Sequence, residues 1–327
     1  MLEPTEPLLA VDRSLFKGEP CFTSEQVAAA AGVDPELATR LWRAMGFTES
    51  APEQVAFYRE DAEALKMANY EISHGTPIDV VLRQTRVMNA AMSRLAESIG
   101  EDMVAAVRAM RDSGVSDEET AGWLVEGISP DRFEHLLGYF LRRQLRGALW
   151  RKLAVPADAV GGPSLTVGFV DLVRFTAITE EVAEEELDHL VTRFEEVSHE
   201  HITNRGGRMV KMIGDEVMFV ADEPAVGAAI ALDLVEAYSH DEQLPPARAG
   251  VACGTMLSRD GDYFGQVVNL ASRIVDVARP AAVVTSEPVH DELHRDATLS
   301  WRRLPPKRLK GIGRPALWSV RRARKGG

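Results

Sequence analysis

The chain has 327 residues, 45% hydrophobic and 27% charged, with a formal net charge of −13. That length allows two domains with separate cores, and the composition is that of an ordinary globular protein. The acidic balance argues against duplex DNA and anionic lipid as default partners.

Other exclusions come from local features. No apolar run approaches the ~20 residues that span a bilayer. The N-terminus, Met1-Leu2-Glu3-Pro4, lacks the charged and apolar regions of a signal peptide. Two lone cysteines, Cys21 and Cys253, indicate a reducing and hence cytoplasmic setting rather than a disulfide framework.

The first part, through Leu153, reads as helical. Ser24 is placed to cap a helix from Glu25 to Ala31, closed by Gly32. Asp34-Pro35 opens a second, Glu36 to Met45, ended by Gly46. Tyr58 to Ser73 is a third. Thr76-Pro77 opens a long helix carrying Val80, Val81, Val87, Met88, Ala91 and Leu95 near helical spacing, and Met103 to Met110 continues the pattern. Ser116 caps a helix through Leu124, with Glu119 placed for a capping box. Ser129-Pro130 starts the last, with Phe133, Leu136, Leu137, Phe140, Leu141 and Leu145 as its stripe.

The texture changes at the Pro/Gly-rich stretch 154–164, a linker. Beyond it, strands and helices alternate through residues 165–327. Leu165 to Val170 is a short apolar strand and Glu180 to Arg205 an amphipathic helix. Arg208 to Ile213 and Val217 to Val220 form a hairpin turned at Gly214-Asp215. Pro224 to Tyr238 is helical, Ala247 to Cys253 a strand, Val267 to Ala278 a helix. Ala282 to Thr285 and Leu317 to Val320 are further strands.

Thr23 to Phe47 has the outline of a helix-turn-helix, which supports a rival reading: a nucleotide-responsive DNA-binding regulator. Its second helix holds Glu36, Arg40 and Arg43, a thin basic face. Residues 1–150 carry 15 Lys+Arg against 24 Asp+Glu, a net of −9 and a poor electrostatic match to DNA. A helical regulatory and dimerisation domain fits better. Its apolar helices either make a dimer core or enclose a small, lipid-like ligand. His74 and His135 lie in this half, and imidazoles titrate near neutrality, so a proton signal is a further option.

The second half carries the chemistry. Asp171 ends an apolar strand, in Phe169-Val170-Asp171-Leu172-Val173-Arg174-Phe175-Thr176, and Asp215 sits in a hairpin turn. Two carboxylates presented together repel unless a cation lies between them, and hard oxygen ligands suit Mg²⁺ or Mn²⁺ carried with a triphosphate. In Gly261-Asp262-Tyr263-Phe264-Gly265-Gln266-Val267-Val268-Asn269-Leu270-Ala271-Ser272-Arg273, Asn269 and Arg273 are four apart and share a helix face. A carboxylate, an amide and a guanidinium suit a polar, phosphorylated ligand.

Together with Lys211-Met212-Ile213-Gly214-Asp215-Glu216, these stretches resemble, in order and spacing, the catalytic domain of class III adenylate cyclases, in particular actinobacterial enzymes with an all-helical N-terminal half. The resemblance covers Leu165 to Val320. It implies an α+β fold, a ferredoxin-like catalytic domain of mixed sheet and helices preceded by an all-α domain. The implied reaction is ATP to 3′,5′-cyclic AMP and pyrophosphate, with two Mg²⁺ or Mn²⁺ ions per site held by Asp171 and Asp215. One ion activates the ribose 3′-hydroxyl and the other braces the β- and γ-phosphates. Lys211 and Asp262 match the purine-reading positions and favour ATP over GTP. Asn269 and Arg273 match the transition-state pair. The backbone from Asp171 to Thr176, including Phe175, opens a helix that can receive phosphate oxygens. Lys310, in Leu309-Lys310-Gly311-Ile312-Gly313, matches a lysine that meets the terminal phosphates. The family acts as pairs, so a chain with the whole set implies a homodimer with two interface sites.

Overall fold

The computed structural model describes residues 14–16, 18–48, 50–127, 130–153 and 164–323. They fall into two units, Met1–Lys152 and Leu153–Gly327. The linker expected at 154–164 and the capping Ser129 lie almost wholly outside the described residues.

The first unit is helical. α1 (Ser24–Ala31) is capped by Thr23 rather than Ser24: the Thr23 hydroxyl accepts from the Gln26 amide while the Gln26 side chain accepts from the Thr23 amide. The glutamine at the third helical position decides the register of that reciprocal pair. Gly32 closes the helix at φ 64°. Asp34 caps α2 (Pro35–Ala44) through the Glu36 and Leu37 amides. α3 (Arg59–Ser73) follows, and Val27, Leu41, Leu65 and Val81 meet in one core under α1, α2, α3 and the start of α4 (Ile78–Asp112). The two segments expected around Val80 and Met103 are a single 35-residue helix. α5 (Asp117–Gly127) carries the expected Ser116–Glu119 box. α6 (Pro130–Leu153) ends the unit.

The second unit is a seven-stranded sheet with helices on both faces. In chain order it contains β1 (Ser164–Leu172), α7 (Phe175–Thr179), α8 (Glu184–Asn204), β2 (Arg208–Ile213), β3 (Glu216–Ala221), α9 (Pro224–His240) and β4 (Ala247–Thr255). A separate ribbon, β5 (Leu257–Arg259) with β6 (Asp262–Phe264), precedes α10 (Gln266–Val275). β7 (Val283–Ser286), α11 (Glu287–Leu293), β8 (Leu299–Arg303) and β9 (Leu317–Arg322) complete it. The strand order is β2-β3-β1-β4-β7-β9-β8, with β4 and β7 parallel and the other pairs antiparallel. The sequence reading omitted β5, β6, α11 and β8.

Strand alternation divides the interior into two cores. Val170, Leu172, Val217, Phe219, Ala249 and Val251 face α8 and α9. Val167, Phe169, Met218, Val220 and Ala252 face the other way, onto Ala271, Ile274 and Val275 of α10. Helix α10 lies so close that a Cβ at Gly250 would sit 2.5 Å from the Ala271 carbonyl oxygen and 2.6 Å from the Val275 nitrogen. Backbone cannot swing aside as a side chain does. Gly250→Ala is therefore expected to cost about 1–3 kcal/mol by overpacking, lowering the melting temperature of the protein by several degrees in a thermal melt. An unchanged melt would mean that α10 is not seated on β4 in this way.

Candidate active site

The α10 face of the sheet collects the polar residues. Asp171 falls on the same side of β1 as Val167 and Phe169, and its cross-strand neighbours are Glu216 on β3 and Arg248 on β4. Arg248 donates to Oδ2 of Asp171 from Nε at 2.8 Å and from Nη2 at 2.6 Å, tying both donors to one oxygen. Both groups are largely buried, so the pair orients Asp171 and leaves Oδ1 for other ligands. Arg248 was missed in the sequence reading. Its role follows from strand register, and no motif announces it.

Asp215 occupies the two-residue turn between β2 and β3, where Gly214 adopts φ 63° and the Asp215 carbonyl accepts from the Leu172 amide. That bond ties the hairpin turn to the end of β1. Beyond it Arg174 is held at φ 66°, a costly left-handed conformation for a side-chain-bearing residue, and α7 begins at Phe175. The Phe175 ring packs against the core on the α8–α9 side, so the backbone of this turn, rather than the ring, is what it offers a ligand. The side chain of Thr176 is outside the described set.

Charge concentrates at this end of the sheet. Burial raises the Asp171 pKa, the Arg248 hydrogen bond and charge oppose it, and Asp215 and Asp276 add to the rise. Glu216 is pushed up to about 7, by burial first and then by Asp171, Asp276 and Asp215. Among the described residues no group of three or more His, Cys, Asp or Glu has the spacing of a closed metal cage. The donor set is instead two carboxylates at an edge, all oxygen, which fits Mg²⁺ or Mn²⁺ arriving with a polyphosphate.

Lys211 and Asp262 are brought together from 51 residues apart, Nζ to Oδ2 at 2.5 Å. Asp262 opens β6, just ahead of α10, and pairs across the ribbon with Arg259. Its Oδ1 accepts from the Tyr263 amide at 2.7 Å. Asn269 and Arg273 are exposed on the outer side of α10, and Arg273 pairs with Asp276 at 3.4 Å. Lys310 is exposed in the loop closed by the Leu309–Gly313 bridge. Cys253 is a half-buried thiol packed against the core, its pKa raised by burial.

Residues 3–149 match the family model described as adenylate cyclase regulatory domain, and residues 160–321 match the adenylate and guanylate cyclase catalytic domain. An adenylate cyclase of Streptomyces coelicolor is 37% identical over 89% of this chain and 76% of its own length. A pH-sensitive adenylate cyclase of Mycobacterium tuberculosis is 34% identical over 97% of this chain and 82% of its own. Among solved structures, the catalytic core of a rhodopsin-guanylyl cyclase with converted specificity matches 50% of this chain and 97% of that one, with 21% identity and a TM-score of 0.46. The DNA-binding alternative for the first unit finds no support in these matches.

The carboxylate reading is checked by metal binding. Asp171→Asn and Asp215→Asn are each expected to weaken Mn²⁺ binding, followed by electron paramagnetic resonance, by about tenfold or more, with the protein still folded by circular dichroism. Native affinity in both variants would remove these residues from the site.

Proposed function

This chain belongs to the adenylate cyclase family, and we propose that it converts ATP to 3′,5′-cyclic AMP and pyrophosphate at sites formed between two copies of itself, under control of its first unit. The observation that carries the substrate reading is the Lys211–Asp262 pair. A lysine donor beside an aspartate acceptor complements the adenine edge, with its ring-nitrogen acceptor and exocyclic amine donor. Guanine reverses both.

The remaining residues have chemically distinct tasks. Asp171 and Asp215 would hold Mg²⁺ or Mn²⁺, two ions per site. Metal held there would supply positive charge to acidify the ribose 3′-hydroxyl and steady the triphosphate. Arg248 fixes the direction of Asp171. Asn269 orients the ribose so that its 3′-oxygen lies in line with the α-phosphorus. Arg273 neutralises the charge that grows on the α-phosphate as the bond to pyrophosphate breaks. Lys310 and the turn from Asp171 to Thr176 meet the phosphate oxygens.

Asn269 and Arg273 point away from the sheet that bears the carboxylates of their own chain, which supports delivery of this pair to a second copy. Cys21 and Cys253 are free thiols, in keeping with a reducing cytoplasm. The first unit carries the regulatory input, with a small, lipid-like molecule or a proton as signal.

Two measurements test the reading. Turnover of ATP should exceed that of GTP, and Lys211→Glu should reduce ATP use selectively, since an unpaired buried polar group costs about 1–3 kcal/mol. Equal or better GTP turnover by the native protein contradicts the purine assignment. The second measurement is complementation. Asp171→Ala and Arg273→Ala should each be nearly inactive alone. Co-expressed and purified as a tag-selected mixed dimer, they leave one site with both lesions and the other with neither, restoring up to roughly half the native rate. Mixed dimers as inactive as their parents would mean that each site is built within one chain.

A further inference from the structure

β2 and β3 do not pair in simple alternation. Met209 lies opposite Phe219 and Lys211 opposite Met218, so Val210 is an extra residue and the ladder is bulged there. Regular alternation from Arg208 would send Lys211 to the α8–α9 face with Met209. The bulge reverses this. Arg208 pairs with Val220 and Lys211 with Met218, both residues of the α10-side core, so Arg208 and Lys211 share that face. Val210 fills the same core between them.

The ribbon β5–β6 reaches this face through two adjacent links. Asp262 pairs with Lys211. Tyr263 packs on the α10-side core with its hydroxyl beside Arg208, where it favours the charged guanidinium, and Arg208 is also held by Asp222 at 2.9 Å. Lys211 and Asp262 keep substantial solvent exposure, and a pair of that kind contributes at most about 1 kcal/mol. By itself it cannot fix where the three-residue strand β6 sits.

We propose that the Val210 bulge and the Arg208–Tyr263 link form a specificity-setting clamp that seats β6 against β2 and thereby holds Lys211 and Asp262 at the spacing that reads adenine. This rests on the purine reading above and deepens it. Arg208 and Tyr263 are positioning residues: they act on the nucleotide through Lys211 and Asp262.

The test compares kcat and KM for ATP and GTP in full-length protein carrying Tyr263→Phe, Arg208→Met, Arg208→Lys or Lys211→Met. Tyr263→Phe removes one hydroxyl and keeps the packed ring. It should raise the KM for ATP several-fold with kcat little changed, lowering the ATP-to-GTP ratio of kcat/KM by about threefold to tenfold, the scale of one lost polar contact. Arg208→Met should do the same, and Arg208→Lys should recover part of the ratio. Thermal melts accompany each variant, and Tyr263→Phe carries the test if Arg208→Met does not fold.

If Lys211→Met lowers the ratio while Tyr263→Phe and Arg208→Met leave it native, the clamp is wrong and the purine reading stands. If Lys211→Met also leaves the ratio unchanged, the purine reading fails and the clamp with it. Equal losses for both nucleotides with a lowered melting temperature would make the link scaffolding alone and overturn the proposal.

Discussion

The strand residues of the site depend on one constraint: Asp171, Arg248 and Lys211 must leave the same face of the sheet, the face covered by α10. Strand geometry grants this to alternate residues only. β1 satisfies it because Asp171 is in phase with Val167 and Phe169, and β4 because Arg248 is in phase with Gly250 and Ala252. β1 itself is fixed between two neighbours. A Cβ at Gly168 would strike the Phe219 ring at 2.1 Å, so the glycine lets that ring lie across the strand on the α8–α9 side. With β1 immobilised between β3 and β4, the position of Asp171 is set by packing rather than by the flexible turn that follows it. β2 meets the constraint only through its bulge, which makes the least regular strand pairing in the sheet the one that delivers Lys211.

Electrostatics at the same end follow from this convergence. Asp171, Asp215, Glu216 and Asp276 act on one another across partly buried space, and Arg248 is the cation paired with Asp171. Burial and mutual repulsion together move Glu216 to about 7. Packing that holds acids in such a place retains unfavourable charge in the resting protein. A divalent ion would relieve it, since a bound metal is the largest local charge and inverts the preference of neighbouring acids for the protonated state. The proposed Mg²⁺ or Mn²⁺ would thus find at Asp171 and Asp215 a surplus of negative charge that favours its binding.

Much of this was legible in the sequence because it is local. The Gly214-Asp215 turn, the Asp34-Pro35 helix start, the Ser116–Glu119 box and the spacing of Asn269 and Arg273 each depend on residues within four positions of one another. What escaped is non-local or too short. β5 and β6 have three residues each, below the length at which alternation separates strand from turn. The role of Arg248 requires knowing that β4 lies beside β1 in a particular register. The Val210 bulge is invisible because Val210 is an ordinary strand residue; only its partners reveal the slip. Thr23 and Ser24 are both good caps, and it was Gln26 reaching back to Thr23 that decided between them. The start of α11 was legible in Ser286-Glu287-Pro288 and was overlooked, and β8 has only five residues.

The proposed purine pair adds a point about how discrimination arises. Lys211 and Asp262 satisfy each other in the unliganded protein, so neither is left as an unpaired charge while the site waits for substrate. A nucleotide must replace their mutual bond with two of its own. Adenine offers an acceptor to the lysine and a donor to the aspartate, so the exchange conserves hydrogen bonds. Guanine presents a donor toward the ammonium and an acceptor toward the carboxylate, so the exchange loses both and sets like partners against each other. The penalty falls on the wrong base rather than on the empty enzyme, as at sites that reject an analogue by leaving their own polar groups unpaired. Such a mechanism needs the two side chains near each other but not buried beyond reach. Their partial exposure, with Asp262 at the end of a ribbon only three residues long, meets that requirement.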